Sequence, residues 1–329
     1  MNLGVLTFFL LPKKPEFLEL IDSYFLDQII VHNIYILGGL YMKSKSRKTV
    51  NRAVIYILAA LIVIYVLAPY LWLIISSIST KAELLTVPLK WIPKNPTLEN
   101  YYTIFMGTSN STTDAASQFK YALANSAVVS ISVTALSMLV GLLAAYAFAR
   151  MKFRFKKPSF YLILITQMVP PIALIIPMYM LFLKFNLMDK KISLIIVYLS
   201  LVLPFVIWIM KGYLASIPVE LEESARIDGC SRMKSFVRII LPLASPGLAA
   251  TTIFAFIISW NEFFYALNFT STIKAKTLPV VITEFSSKHG ADYIMSSTGG
   301  VIASLPPVLL ALIFQKYIIA GLTAGAIKG

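Results

Sequence analysis

The sequence predicts an all-α membrane protein with six transmembrane helices. Of its 329 residues, 58% are hydrophobic and only 13% are charged, and the mean hydropathy is +0.78. One soluble core cannot bury that much apolar surface, so the excess requires lipid. Several uncharged stretches also reach about 18 residues, a length at which an apolar helix can cross a bilayer.

The predicted spans are separated by polar or basic segments. A basic flank precedes the first span, and the segment between the fourth and fifth spans is rich in charge. In chain order the spans cover residues 53–78, 121–149, 160–182, 192–210, 243–269 and 301–320.

Basic side chains cluster beside the spans, at residues 43–52, 150–157 and 211–238. Such clusters stay preferentially on the cytoplasmic side of a bilayer. With an even number of spans, a cytoplasmic amino terminus places all three clusters inside, so both termini are predicted to be cytoplasmic. The clusters form no continuous basic stripe, and the net charge of +14 is therefore attributed to topology and membrane lipid rather than to nucleic acid.

Four regions are predicted along the chain. The head, residues 1–41, is poorly defined, because its apolar part contains two aspartates, a histidine and an asparagine, which oppose membrane insertion. It also lacks the basic start and the cleavage site of a signal peptide, and we expect the chain to start at Met42. The other regions are the first helix with its extracellular loop, five further helices, and a cytoplasmic tail, at residues 42–118, 119–316 and 317–329.

Prolines interrupt two of the predicted spans. Pro170, Pro171 and Pro177 fall in the third span, and Pro204 falls in the fourth. Proline lacks a backbone donor, so the carbonyl that it frees must face protein or a wet cavity. These prolines predict either broken helices along a transport path or kinks that help the helices to pack.

Groups that could couple the protein to an energy source are scarce. No Gly-Lys pair occurs, so the sequence has no phosphate-binding loop of an ATPase. A carrier coupled to protons or sodium needs titratable groups at membrane depth, and the spans nearly lack them. The exception is Glu262, which we interpret as a carboxylate hydrogen-bonded to its neighbours near the outer interface rather than as an ion relay. A self-sufficient carrier or channel stays open as an alternative.

Catalytic and metal-binding patterns are also missing from the sequence. Cys230 is the single cysteine, which excludes a disulfide framework and a cysteine-based zinc site. His32 and His289 lie far apart in the sequence, so a histidine metal site or a catalytic triad is not expected. We therefore predict no cofactor, no metal and no catalytic residue.

The charged segment between the fourth and fifth spans predicts two short helices joined at a glycine. Pro218 suits the first turn of a helix, and the acidic run 220–223 places negative charge where the helix dipole is positive. Gly229 can take the left-handed conformation that ends this helix, and Ser231 can cap the next one. The second helix is expected to have one apolar face, which packs against the cytoplasmic side of the membrane-spanning helices. That face is formed by Met233, Phe236, Val237 and Ile240.

Two interpretations fit the first of these helices. Glu222 and Glu223 could pair with Arg226 within the helix, at about 0.2–0.5 kcal/mol for each pair. Alternatively, the small residues Ser224 and Ala225 beside the hinge glycine could allow close docking into a groove of another protein. The residue pattern alone leaves both open.

The spacing of this segment resembles the Glu-Ala-Ala loop of the membrane subunits of binding-protein-dependent ABC importers. Ser224 replaces the usual alanine and is also small, so docking should survive. By this resemblance, the residues that dock the ATPase are Glu222, Glu223, Ser224, Ala225, Asp228, Gly229, Ile239, Leu241 and Pro242.

Further segments are similar to the second permease subunit of maltose-type sugar importers. The likeness runs from about residue 50 to the end of the chain, and it implies the type I ABC importer permease fold with residues 119–316 as its core. The matching segments are Asn125-Ser126, residues 144–150, Pro170 with Ile176-Pro177, Trp260-Asn261-Glu262-Phe263 and residues 321–329.

The resemblance implies a permease subunit that imports a sugar or glycoside. Its implied partners are a second permease subunit in a heterodimer, a cytoplasmic ATPase dimer and an extracellular solute-binding protein. The same architecture carrying peptides, amino acids or polyamines is the alternative. The tail resembles tails that reach into the ATPase dimer, although a frayed, solvated end is also possible, and its expected contacts are Ala324, Gly325, Lys328 and Gly329.

Overall fold

The chain divides into two compact units, residues 1–68 and 69–329. In the first unit, the described residues belong to one helix, whose side chains from 54 to 67 are exposed. The predicted head, residues 1–41, and the predicted start at Met42 lie outside the described residues. The computed structural model describes residues 44–88, 91–107, 115–287 and 290–323.

Helices form nearly all of the regular secondary structure in the described residues. The exception is a short antiparallel pair of strands, β1 (Ser286–Ser287) and β2 (Gly290–Ala291). The helices are α1 (Ser44–Ser77), α2 (Lys81–Leu84), α3 (Glu99–Met106), α4 (Ala115–Arg150), α5 (Lys156–Thr166), α6 (Pro171–Lys184), α7 (Lys191–Ser216), α8 (Glu220–Ile227), α9 (Arg232–Ser235), a π-helix (Phe236–Ile240), α10 (Leu241–Leu243), α11 (Ser245–Trp260), α12 (Phe264–Phe269), α13 (Leu278–Glu284) and α14 (Tyr293–Thr323).

Within the described ranges, four helices are long and apolar enough to span a membrane, and two bent helix pairs bring the number of spans to as many as six. The continuous spans lie in α1, α4, α7 and α14, and the bent pairs are α5 with α6 and α9–α10 with α11. The predicted all-α fold is therefore confirmed, and the described helices supply the six predicted spans if each bent pair counts as one. The fifth span ends earlier than predicted, at Trp260, because the chain turns there and α12 follows as a separate helix.

The third span is broken where the sequence predicts it. α5 and α6 meet at an angle of 91°. Pro170 is extended, with φ −64° and ψ 130°, and Pro171 begins α6. The residue before a proline is pushed out of the helical region, so this Pro-Pro pair ends one helix and starts another. At Pro177 and Pro204 the broken-helix alternative is wrong, because α6 and α7 continue through these prolines.

A side chain from the break supports the backbone of α7 at its proline. Pro204 has no N–H to donate to the carbonyl oxygen of Ser200, one helical turn earlier. The Gln167 side-chain amide lies 3.4 Å from that oxygen and 3.3 Å from the carbonyl oxygen of Leu201. The freed carbonyl therefore faces a protein donor, as a proline at membrane depth requires.

The same arrangement recurs between α11 and α14. Pro307 cannot donate to the carbonyl oxygen of Ala303, and Trp260 Nε1 donates to that oxygen at 2.9 Å. The Trp260 side chain is buried, with 3% exposure. The tryptophan of the Trp-Asn-Glu-Phe segment thus supplies the donor that a proline in the neighbouring helix lacks.

Trp260→Phe is expected to lower the stability of the folded subunit by about 1–3 kcal/mol, because it leaves a buried carbonyl without a donor. Thermal unfolding of the purified protein in detergent, followed by size-exclusion chromatography, measures the loss. Adding Pro307→Ala restores the backbone N–H and should recover most of it. Trp208→Phe, at a side chain that is 52% exposed, is the control, and no recovery in the double variant would contradict this role.

Glycines let two helices approach α7 closely. A Cβ atom added at Gly141 of α4 would lie 2.7 Å from Cγ1 of Val206 in α7. A Cβ atom added at Gly247 of α11 would lie 2.5 Å from Cγ of Tyr213, also in α7. Neither position has room for a side chain, and small residues at helix contacts are common in membrane proteins.

Near its amino-terminal end, α4 is tied to the segment that precedes α13. The Asn125 side chain donates to the carbonyl oxygens of Ile273 and Lys276, each at 2.9 Å. Ser126 Oγ accepts the backbone N–H of Leu278 at 2.7 Å. Asn125-Ser126 is one of the segments on which the family resemblance rests, and the structure gives both residues a role in fixing this loop.

Asp189 fixes the loop between α6 and α7. Its carboxylate accepts the backbone N–H groups of Ser271 and Thr272, each at 2.9 Å, and the Thr272 hydroxyl at 2.5 Å. Burial alone would raise the pKa of this carboxyl, but the hydrogen bonds from Thr272 and Ser271 outweigh it and lower the pKa below its ordinary value. Because the folded-state pKa is lowered, the stabilisation is present at neutral pH and is lost as pH falls through that pKa.

Candidate functional site

Helix α8 is a short acidic helix that follows the end of α7. Three glutamates lie in its first turn and Arg226 lies in its last turn. Negative charge at the amino end and positive charge at the carboxyl end both interact favourably with the helix dipole. The predicted first helix is therefore confirmed, and it begins at Glu220, two residues after Pro218.

The turn after α8 has the predicted geometry. Gly229 has φ +85°, and the Cys230 N–H donates to the carbonyl oxygen of Ala225 at 2.9 Å. This is the left-handed ending of a helix that glycine favours. Ser231 Oγ accepts the Lys234 N–H at 3.3 Å and caps the next helix, as predicted.

The second predicted helix comprises α9, the π-helix and α10, which we call the second arm, and it departs from the predicted apolar face. Phe236 and Ile240 are buried, with 3% and 0% exposure, whereas Met233 and Val237 are 57% and 50% exposed. The reason is the π-helix, in which the Leu241 N–H donates to the carbonyl oxygen of Phe236, five residues earlier. This wider turn shifts the side chains away from the positions that an α-helical period predicts.

The predicted docking residues fall into two groups. Four exposed residues form what we call the docking face: Glu223, Ser224, Asp228 and Gly229. On the second arm, Pro242 is also exposed, and Ile239 and Leu241 are partly exposed. Glu222 and Ala225 point the other way and are buried in their own chain, with 6% and 4% exposure. The predicted tail contacts lie outside the described residues: Ala324, Gly325, Lys328 and Gly329.

The Glu222 carboxylate meets the carboxyl-terminal end of α4. Oε1 accepts the Tyr146 hydroxyl at 2.5 Å, and Oε2 lies 3.6 Å from Nε of Arg150. The suggested pairing of Glu222 with Arg226 is therefore wrong, because Arg150 provides the charge partner. We call Tyr146, Arg150 and Glu222 the anchor cluster.

The anchor cluster also contacts the chain on either side of α8. Arg150 Nη2 donates to the carbonyl oxygen of Ile217 at 2.6 Å, just before α8. The Tyr146 ring lies 4.5 Å, centroid to centroid, from the ring of Phe236 on the second arm. The sequence interpretation missed these roles of Tyr146 and Arg150. The available signal was an arginine that closes an apolar span one helical turn after a tyrosine.

Glu262 has a structural role. Its carboxylate accepts the backbone N–H groups of Tyr265 and Ala266, at 2.8 and 3.2 Å, at the start of α12. The interpretation of this residue as a carboxylate bonded to its neighbours is therefore confirmed. Among the described residues, no group of three or more His, Cys, Asp or Glu side chains is arranged to hold a metal ion.

These features define a class of protein: a multi-pass helical membrane subunit that presents a short acidic helix and a glycine turn beside the basic end of its longest span. Its fold is that of the membrane subunits of importers. The chain belongs to the family of binding-protein-dependent transport system inner membrane components, whose sequence profile matches residues 137–324. It is thus a permease subunit in a prokaryotic membrane, it functions with a binding protein, and ATP hydrolysis belongs to a separate subunit.

Sequence relatives match almost over their full length. The chain is 33% identical to the sulfoquinovosyl glycerol transport system permease protein of Agrobacterium fabrum, over 83% of this chain and 93% of that protein. It is 35% identical to the trehalose/maltose transport system permease protein of Thermococcus litoralis, over 86% of this chain and 99% of that protein. It is 31% identical to the galactooligosaccharides transport system permease protein of Bacillus subtilis, over 87% of this chain and 98% of that protein.

A solved structure has the same fold. A chain of a bacterial ABC transporter involved in the import of the acidic polysaccharide alginate superimposes with a TM-score of 0.68, over 85% of this chain and 99% of that one. The two sequences are 19% identical. The predicted type I importer permease fold is therefore confirmed.

Proposed function

We propose that this permease subunit imports a sugar or glycoside that a solute-binding protein delivers from outside the cell. The proposal is supported by the names of its relatives, whose systems carry sulfoquinovosyl glycerol, trehalose or maltose, and galactooligosaccharides. The alternative cargoes are peptides, amino acids and polyamines. Fluorescence titration of the partner binding protein with a panel of sugars and dipeptides tests the cargo, and tight binding of a dipeptide alone would refute it.

The docking face contacts a cytoplasmic ATPase. The observation that carries this part of the proposal is the exposure of Glu223, Ser224, Asp228 and Gly229 on one short projection, while the neighbouring Glu222 and Ala225 anchor that projection from behind. A charged side chain beside two small residues suits a groove that approaches the backbone closely. Closure of an ATPase dimer would move this projection and reshape the membrane path.

The orientation follows from charge. The basic residues at 150–157 lie beside the same end of α4 as the anchor cluster, and such residues favour the cytoplasmic side. Both termini are then cytoplasmic, and the segment bound by Asn125 and Ser126 faces outward. A second permease subunit completes the membrane path, and the tail residues Ala324, Gly325, Lys328 and Gly329 contact the ATPase dimer.

Glu223→Ala is expected to reduce the amount of co-purified ATPase subunit by about tenfold, since truncating a central charged contact costs at least about 1.4 kcal/mol. Uptake should fall in parallel, while membrane insertion stays intact. Gly229→Pro should act in the same direction, because proline cannot adopt the φ of +85° that this turn requires. Affinity purification from membranes and uptake by intact cells measure both effects.

Glu220→Ala is the matched control for Glu223→Ala, because Glu220 is an exposed glutamate of the same helical turn outside the docking face. Wild-type uptake and wild-type ATPase recovery in Glu223→Ala would argue against docking at this face. Reconstitution of the chain alone in liposomes addresses the remaining class of function. Gradient-driven uptake without ATP or partner proteins would instead favour a self-sufficient carrier.

A further inference from the structure

We propose that Tyr146 and Arg150 are positioning residues that hold the docking helix α8 on the transmembrane helix α4, so that the two helices move as one body. This inference rests on the proposed function, in which a partner subunit displaces α8. It adds the route by which that displacement enters the membrane part. Both residues act through Glu222, which lies on the opposite side of α8 from the docking face.

The way in which α8 is attached supports this role. Of its eight residues, only Glu222 and Ala225 are buried. Its apolar side chains are left outside the bundle, with Leu221 42% exposed and Ile227 86% exposed. A helix that needed only stability would bury those apolar side chains. Instead, α8 is held mainly by a charged side chain, whose hydrogen bonds and ion pair depend on direction and distance.

The contacts of the anchor cluster extend from Ile217, before α8, to Phe236, after the glycine turn; we call residues 217–236 the coupling segment. Arg150 binds the carbonyl of Ile217 where the chain enters α8, and the Tyr146 hydroxyl donates to Glu222 within α8. The ring of Tyr146 packs on Phe236, beyond the glycine turn. One turn of α4 therefore contacts the entrance, the centre and the exit of the segment. A displacement of α8 relative to α4 would break all three contacts together.

α4 carries such a displacement to its other end. The helix has 36 residues and is continuous, so it is about 54 Å long at 1.5 Å per residue. Near its amino-terminal end, Asn125 and Ser126 hold the segment 273–278 by three hydrogen bonds. A single helix thus connects the docking segment to a loop at the opposite end of the bundle. Rigid secondary-structure elements are among the structures that can carry energetic coupling between distant sites, and α4 is such an element.

Tyr146→Phe tests the anchor with little structural change, because it removes the hydroxyl bound to Glu222 and keeps the ring against Phe236. In the complete transporter, reconstituted with its partner subunits and binding protein, the ATPase content should stay at the wild-type level. The number of sugar molecules imported per ATP hydrolysed is expected to fall by about fivefold or more. Trehalose and maltose serve as probes. Tyr161→Phe, at a side chain that is 60% exposed, is the control and should leave this ratio unchanged.

A distance measurement tests the same inference without depending on cargo or on the variant. Cys230→Ser removes the native thiol, and spin labels are attached at Ile227→Cys in α8 and Lys152→Cys just after α4, both exposed positions. Pulsed electron paramagnetic resonance then compares the nucleotide-free transporter with the transporter trapped by ATP and vanadate. We expect one narrow distance distribution in both states of the labelled wild type. Glu222→Gln, like Tyr146→Phe, should broaden it or separate the two states.

A label distance that differs between the two states of the wild type would overturn the inference, as would a wild-type transport ratio in Tyr146→Phe. These outcomes differ from failure of the proposed function. If the docking proposal is wrong, Glu223→Ala will show normal ATPase recovery and normal uptake. If the anchor inference is wrong, Tyr146→Phe will show a normal transport ratio while Glu223→Ala still loses the ATPase.

Discussion

Arg150→Met is expected to destabilise the folded subunit by about 3–5 kcal/mol, the largest loss of stability that we predict. The substitution keeps the length and much of the apolar stem of the side chain. It removes the donor to Ile217 and leaves the Glu222 carboxylate, which is 8% exposed at its side chain, without its positive partner. A buried charge without a partner is far more costly than the pair itself. Thermal unfolding of the purified transporter in detergent measures the effect.

The double variant Arg150→Met with Glu222→Leu separates this cause from a general loss of packing. It replaces both charges with apolar groups, and such replacements of buried pairs are often nearly neutral. We therefore expect the double variant to recover most of the stability while transport stays impaired. Arg154→Met, at an exposed arginine four residues further on, is the matched control. A double variant no more stable than Arg150→Met would argue against a buried charge as the cause.

Gly247→Ala is expected to cost about 1–3 kcal/mol, because the added methyl group would overlap the ring of Tyr213. The new Cβ atom would lie 2.5 Å from Cγ of that ring, and the ring atoms beside it are 2.6 and 2.7 Å away. A ring in a packed helix contact cannot move aside without shifting α7 or α11. The yield of monodisperse protein after purification and its unfolding temperature should both fall.

Two further variants control this prediction. Gly212→Ala, one residue before Tyr213 in α7, places its Cβ atom where nothing lies within 4 Å. It should leave stability unchanged or raise it by up to about 1 kcal/mol, because alanine favours a helix more than glycine does. Adding Tyr213→Ala to Gly247→Ala removes the ring and should relieve the overlap. An unfolding temperature that Gly247→Ala does not change would show that α11 can move away from α7.

Local patterns in the sequence predicted the parts of the site that depend on neighbouring residues. Gly229 adopts the expected left-handed conformation, which depends on the backbone of the turn itself and not on distant residues. Ser231 caps the next helix because the N–H that it binds lies three residues ahead. Both features rest on interactions within a few residues, where sequence spacing fixes geometry.

Interactions between distant residues could not be predicted in this way. Glu222 binds Tyr146, which lies 76 residues earlier in the sequence. Within α8 alone, Arg226 at i+4 was the obvious partner, and only the packing of α8 on α4 decides between the two arginines. The π-helix has a similar origin, since the α-helical period places Met233 and Val237 on the buried face, but the packed segment exposes them.

The prolines show the same difference between local effects and contacts with distant residues. Pro170 and Pro171 act locally and break the third span as predicted. Pro204 and Pro307 lie within continuous helices, and Gln167 and Trp260 from other parts of the chain supply the missing donors. No pattern within the fourth or sixth span contains that information.

The side-chain donors at these two prolines also have a mechanical consequence. An ordinary helix opposes bending with a backbone hydrogen bond at every turn, and breaking one in lipid is costly. At Ser200 and Ala303, that bond has been replaced by one from a side chain elsewhere in the bundle. Bending at either point would therefore break a hydrogen bond to a side chain rather than one between backbone groups. The positions of these two points along their helices are set by Pro204 and Pro307.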